Sequence, residues 1–137
     1  MKSNEIIFDE NLEMYIFSDE LSTEICISLS DSLSASEEEL TEEYKNKIAN
    51  FINNLPNWYN EAVKSVVKRA EQIYAIETKS KDLQLMNIFI LFEQDENELY
   101  GLEFRTEFDV EHGCGLKIRG IDYKVIEIGT GEIAFVR

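Results

Sequence analysis

The sequence is poor in the residues that punctuate, staple or catalyse. Its 137 residues include one proline, one histidine, one tryptophan, two cysteines and six glycines. With Pro56 alone and no Gly/Ser/Pro-rich tract there is no linker, so residues 1–137 read as one domain. Cys26 and Cys114 lie far apart, form no CxxC pair and are expected to be reduced thiols. The best apolar run, Leu83 to Phe92, is about half of the ~20 residues a membrane helix needs, and Gln84 and Asn87 interrupt it. The N-terminus lacks the basic and apolar regions of a secretory signal. A soluble, cytoplasmic protein is the expectation.

The most informative absence is positive charge. From Ser3 to Tyr44 there is no Lys or Arg, while 13 Asp or Glu occur. The whole chain holds 28 acids against 13 bases, for a formal net charge of −15. Such a surface repels a phosphate backbone, so nucleic acid is excluded as a partner, and an anionic membrane is disfavoured for the same reason. The imbalance has two readings. One is a solvated face that keeps a small protein soluble; the other is a docking surface that steers a basic partner. Calcium is a third option, but no DxDxDG loop is present.

What is there has clear periodicity. Leu12, Met14 and Ile16 alternate, as do Leu21, Thr23, Ile25, Ile27 and Leu29, with Ser18-Asp19-Glu20 suited to a hairpin turn between them. A short strand over Ile6 to Phe8 precedes them in this reading. Ser36 followed by Glu37, Glu38 and Glu39 matches a capping box, which predicts a helix starting there. Leu40, Tyr44, Ile48, Phe51, Ile52 and Leu55 give it one apolar stripe, and Pro56 is expected to stop or bend it. Tyr59, Ala62, Val63, Val66, Val67, Ala70, Ile73 and Tyr74 place a second amphipathic helix after it. Leu83 to Phe92 is apolar on both alternations, which marks a central strand. Strands over Leu99 to Thr106, Cys114 to Arg119, Tyr123 to Ile128 and Ile133 to Val136 then follow, with turns at Asp95-Glu96-Asn97, Gly120-Ile121-Asp122 and Gly129-Thr130-Gly131. This order predicts an α+β fold: a mostly antiparallel sheet carrying the helix pair on one face.

Reactive residue types concentrate in Phe108-Asp109-Val110-Glu111-His112-Gly113-Cys114-Gly115. One reading is a metal or acid–base site on Asp109, Glu111 and His112, with Cys114 as a further ligand. The other is a tight turn, in which Gly113 and Gly115 supply positive φ, Asp109 closes an Asx turn and His112 caps backbone groups. The lone histidine favours the turn. No phosphate-binding glycine loop, GxSxG elbow or His-activated serine is present, so no enzymatic activity and no cofactor are expected.

Gly101-Leu102-Glu103-Phe104, the Asp109–Gly115 turn, Lys124-Val125-Ile126-Glu127-Ile128-Gly129 and Glu132-Ile133-Ala134-Phe135 together resemble a family of small bacterial domains of unknown function. That family ends in a Gly-Leu-x-Phe strand, an Asp-x-Glu-His-Gly-x-Gly turn, a Val-x-x-Ile-Gly segment and a short terminal strand. The aromatic before the aspartate, often Trp there, is Phe108 here. Some relatives resemble immunity proteins encoded beside bacterial polymorphic toxins. The resemblance implies a binding module acting on a basic toxin domain. Its candidate contact residues here are Asp19, Glu20, Glu24, Glu37, Glu38, Glu39, Glu42 and Glu43. Trp58, Tyr59 and Phe51 flank the Asn53–Pro56 bend, where the favoured reading has them closing the core between the helices; the other reading is an exposed aromatic that anchors a partner, for which Trp58, one position off the second helical stripe, is the candidate. The alternative function is metal or small-ligand binding at the Asp109–His112 turn.

Overall fold

The computed structural model describes residues Met1–Arg137 as a six-stranded sheet with two helices, the α+β layout expected from the order of periodicities. Strands β1 (Glu13–Ser18) and β2 (Thr23–Leu29) form the N-terminal hairpin. Helices α1 (Glu42–Asn53) and α2 (Leu55–Tyr74) follow, and then β3 (Leu83–Ile90), β4 (Leu99–Thr106), β5 (Cys114–Arg119) and β6 (Val125–Gly129). The strands lie side by side in chain order, so β1 and β6 are the two edges. Every neighbouring pair is antiparallel except β2–β3. That pair is parallel because the two helices carry the chain back across the sheet, the crossover that parallel strands require.

The helices cover one face. Ile25, Ile27 and Leu29 of β2, Leu85, Ile88 and Ile90 of β3, and Tyr100, Leu102 and Phe104 of β4 point into a core shared with Tyr44, Ile48, Phe51, Trp58, Ala62 and Val66. Two tyrosines tie the layers: Tyr44 donates its hydroxyl to the Phe92 carbonyl at 2.5 Å, and Tyr100 lies 3.7 Å from Phe51, ring centre to ring centre. Burial pushes both phenols well above their ordinary range. Cys26 and Cys114 are free and buried. Three strand spacings, roughly 14 Å, separate their strands, beyond disulfide reach.

Four local expectations are corrected and a fifth is met. Ile6 is buried, but Ser3–Glu5 is a 3-10 turn and no strand forms at Ile6–Phe8. The capping box does not start α1. Ser36 instead donates its hydroxyl to the Leu33 carbonyl within a 3-10 turn, Ser34–Glu37, and Thr41 caps the helix by accepting from the Tyr44 amide. The expected break at Asn53–Pro56 is present: α1 stops at Asn53, and Pro56 sits in the first turn of α2, where its missing N–H has no partner to lose. In β3, a register shift between Leu85 and Asn87 inserts Met86 as an extra residue. Leu83, Leu85, Ile88 and Ile90 then share the buried face, where simple alternation grouped Leu85 with Phe89. The last predicted strand is a 3-10 turn, Gly131–Ala134, folded over the sheet face opposite the helices. Its approach is close: a Cβ on Gly101 would lie 1.6 Å from the Ala134 carbonyl oxygen.

Candidate functional site

The acidic segment between β2 and α1 is held in place by the β3–β4 turn. The Glu93 carboxylate accepts from the amides of Ser34 at 2.9 Å and Ala35 at 3.0 Å. Gln94 continues the attachment: its Oε1 accepts from the Thr41 amide at 2.8 Å, and its Nε2 donates to Glu38 Oε1 and to the Glu39 carbonyl. Leu33 and Ala35 are buried beneath. Glu37, Glu38, Glu39, Glu42 and Glu43 are therefore displayed on an anchored strap, all five exposed. Of these, only Glu43 has an ion-pair partner, Lys47 at 3.7 Å.

The same contacts bring in acids that sequence reasoning left out. Glu93, Asp95 and Glu96 of the β3–β4 turn join Glu38 around an open cavity of about 540 Å³ with no apolar lining. Arg137 offsets part of this charge, at 3.7 Å from Glu93 and paired with Glu96. Counting charge along the chain hid this group, because the C-terminal two-thirds is nearly neutral in sum. The usable signal was the position of three acids in one hairpin turn.

Asp19, Glu20 and Glu24 lie elsewhere. Asp19 and Glu20 occupy the β1–β2 turn, where Glu20 shares a cavity with Lys81, and Glu24, second in β2, lies opposite Phe17. The length of β2, seven residues or about 23 Å, separates this end of the sheet from the strap. The eight acids predicted as one surface are thus two groups at opposite ends.

Trp58 is not an interface residue. It is fully buried, stacks on Phe51 with ring centres 4.5 Å apart, and donates its indole N–H to the Phe51 carbonyl at 2.8 Å. The buried stripe of α2 runs through Leu55, Trp58, Ala62, Val66 and Ala70. Contact with the end of α1 turns the first turn of α2 inward by about one residue from the predicted stripe. Tyr59 is only half-buried, and Ile73 is exposed.

The histidine-containing segment adopts the turn geometry. Asp109 Oδ1 accepts from the His112 amide and faces His112 Nδ1, both at 3.0 Å, and Oδ2 accepts from the Tyr74 hydroxyl at 2.7 Å. These bonds, the Tyr74 hydroxyl foremost, hold the Asp109 carboxyl below its ordinary range. Gly113 has φ +65° as expected, but Gly115 has no positive φ. Gly115 is small for another reason: a Cβ there would meet the Gly131 carbonyl oxygen at 2.6 Å. Cys114 points into the core, and burial raises its thiol to about 11. No three His, Cys, Asp or Glu side chains converge as metal ligands. No helix is long and apolar enough to cross a membrane.

In comparisons with known proteins, no family model, no curated protein and no solved structure matches this chain.

Proposed function

We propose that this chain is a cytoplasmic protein-binding module that recognises a basic protein partner through exposed, largely unpaired carboxylates. The observation that carries the reading is the Glu37–Glu43 strap. The segment that carries Glu37, Glu38 and Glu39 and leads into Glu42 and Glu43 of the first turn of α1 is tied to the β3–β4 turn through the amides of Ser34, Ala35 and Thr41, and the five exposed carboxylates have one lysine pair among them. Carboxylates that serve only solubility need no fixed geometry. Anchoring the backbone beneath them lowers the ordering cost of a complex. An immunity-type role, in which the carboxylates occupy a basic toxin surface built for phosphate, is the specific form that the C-terminal resemblance supports. The role is stoichiometric binding, with no catalytic step.

Co-expression tests it. The chain is produced together with each product of the genes flanking its own, and growth and complex formation are measured. Rescue of growth together with a one-to-one complex is the expected result. Undiminished toxicity with no complex contradicts the immunity role. Loss of a one-to-one complex when Glu37, Glu38, Glu39, Glu42 and Glu43 are changed to Lys supports the strap as the contact. Unchanged binding by that variant contradicts it.

A further inference from the structure

Strand β1 forms a sheet edge that lacks the usual protections. It contains no Pro or Lys, its pairing with β2 is free of bulges, and no strand pairs with its outer side. Its register fixes which backbone groups face outward. The Leu29 amide donates to the Leu12 carbonyl at 2.9 Å, so Leu12 and Leu29 form a hydrogen-bonded pair. By alternation Met14, Ile16 and Ser18 also bond β2, whereas Glu13, Tyr15 and Phe17 turn their N–H and C=O away from it. Glu13 is satisfied locally: its amide donates to Asp9 Oδ1 at 3.0 Å and its carbonyl accepts from the Asp9 amide at 2.9 Å. Tyr15 and Phe17 have no such partner. Their two N–H and two C=O groups form an open ladder.

The side chains of the same two residues are also exposed. Tyr15 is 56 % and Phe17 65 % exposed, on the sheet face away from the helices. Glu13 precedes them on that face, Glu24 lies opposite Phe17, and Asp19 and Glu20 close the end of the strand. Two exposed aromatics are thus framed by carboxylates in a stretch without a single base.

We propose that β1 accepts an extended, Lys/Arg-bearing segment of a partner protein as a seventh strand, paired through the backbone of Tyr15 and Phe17. The charge frame selects this occupant. A second copy of the chain would bring Glu13, Asp19 and Glu20 against the same acids, whereas a basic strand neutralises them. The Lys/Arg side chains of the incoming strand lie on the Tyr15 and Phe17 face, their stems along the rings and their charged ends beside Glu13 and Glu24, while the alternate apolar side chains lie beside Met14 and Ile16. The inference rests on the basic-partner reading above and assigns it a second contact, distinct from the strap.

The test is an NMR titration with an acetylated octapeptide of alternating Lys and Val, against its Glu/Val counterpart. Selective shifts and slowed hydrogen exchange at the Tyr15 and Phe17 amides, with the Lys/Val peptide alone, are expected. Phe17→Pro removes one outward N–H without touching the β2 ladder, and weakens binding about tenfold, or about 1.4 kcal/mol. Should that variant lose its fold, Tyr15→Lys with Phe17→Lys keeps the strand and likewise removes binding. No binding of the Lys/Val peptide overturns the inference. Binding that maps to Glu37–Glu43 and ignores both edge variants also overturns it, while leaving the basic-partner reading intact. A dimer in light scattering that Phe17→Pro dissolves reassigns the edge to a second copy.

Discussion

Glu93 is the residue on which the geometry of the acidic strap depends, and its removal has a calculable cost. Its two oxygens accept the amides of Ser34 and Ala35 at 2.9 and 3.0 Å, and its side chain is 21 % exposed. Hydrogen bonds to a charged group contribute about 1.5–3 kcal/mol each, with the low end appropriate to partial exposure. In Glu93→Ala, water can replace the partner of Ser34, which is exposed, but Ala35 is buried and its amide is left wanting. The expected loss is therefore about 2 kcal/mol, most of it from Ala35. Glu93→Gln keeps one acceptor and presents an NH₂ to the other donor, so about half of that loss is expected. Urea unfolding measures both, with an unchanged slope, and the alanine variant's Tm falls by about 6–8 °C. Hydrogen exchange gives the local readout: the Ser34 and Ala35 amides lose protection in step with the global change. A Glu93→Ala protein within about 0.3 kcal/mol of the parent would refute the claim that this carboxylate fixes the strap.

Other outcomes follow from the same contacts. Trp58→Ala lowers stability by about 3–5 kcal/mol in urea unfolding. Folded Trp58→Phe, which loses the bond to the Phe51 carbonyl, binds the partner unchanged; reduced affinity without reduced stability would return Trp58 to the surface. Gly101→Ala drives a Cβ into the Ala134 carbonyl, so the Gly131–Ala134 turn lifts, costing about 1–3 kcal/mol and exposing Gly115 amide exchange. Asp109 has a folded-state pKa below its unfolded value, so its contribution is present above the ordinary Asp range and lost as pH falls through and below it. Asp109→Asn is thus less stable than the parent at pH ~7, and the gap narrows below pH ~4; a gap that widens on acidification contradicts the assigned bonds.

Sequence and structure agree where periodicity is enforced by a single dominant contact. Ile25, Ile27 and Leu29 alternate because one face of β2 meets the helices, and Tyr44, Ile48, Phe51 and Ile52 repeat because one side of α1 meets the sheet. The order of those patterns was enough to give the α+β layout. Disagreement begins where a distant residue outbids a local motif. Ser36 to Glu39 has the chemistry of a capping box, yet Glu93 and Gln94, more than fifty residues away, take the amides of Ser34, Ala35 and Thr41 and postpone the helix to Glu42. Trp58 falls one position off the expected stripe because its burial is set by Phe51 on the other helix, as the core reading of these aromatics required, and not by the spacing within its own. Of the acidic surface, the Glu37–Glu43 strap was legible as a charge run. Its union with the β3–β4 turn, and its separation from Asp19, Glu20 and Glu24, required the topology. The open edge of β1 was invisible for the same reason, since neither the strand order nor the register is written in the local pattern.

The central claim is that fixed carboxylates recognise a basic partner, and its most direct test is the association rate at varied ionic strength. Stopped-flow mixing with the basic partner found by co-expression is run between ~0.01 and ~0.15 M salt, which shortens the screening length from ~30 to ~8 Å. Electrostatic steering predicts a fall of at least about tenfold in the association rate, with a much smaller change in dissociation. The Glu37–Glu43 charge-reversal variant should already associate slowly at low salt. An association rate that stays within about twofold across that range, in the native chain, would contradict the account.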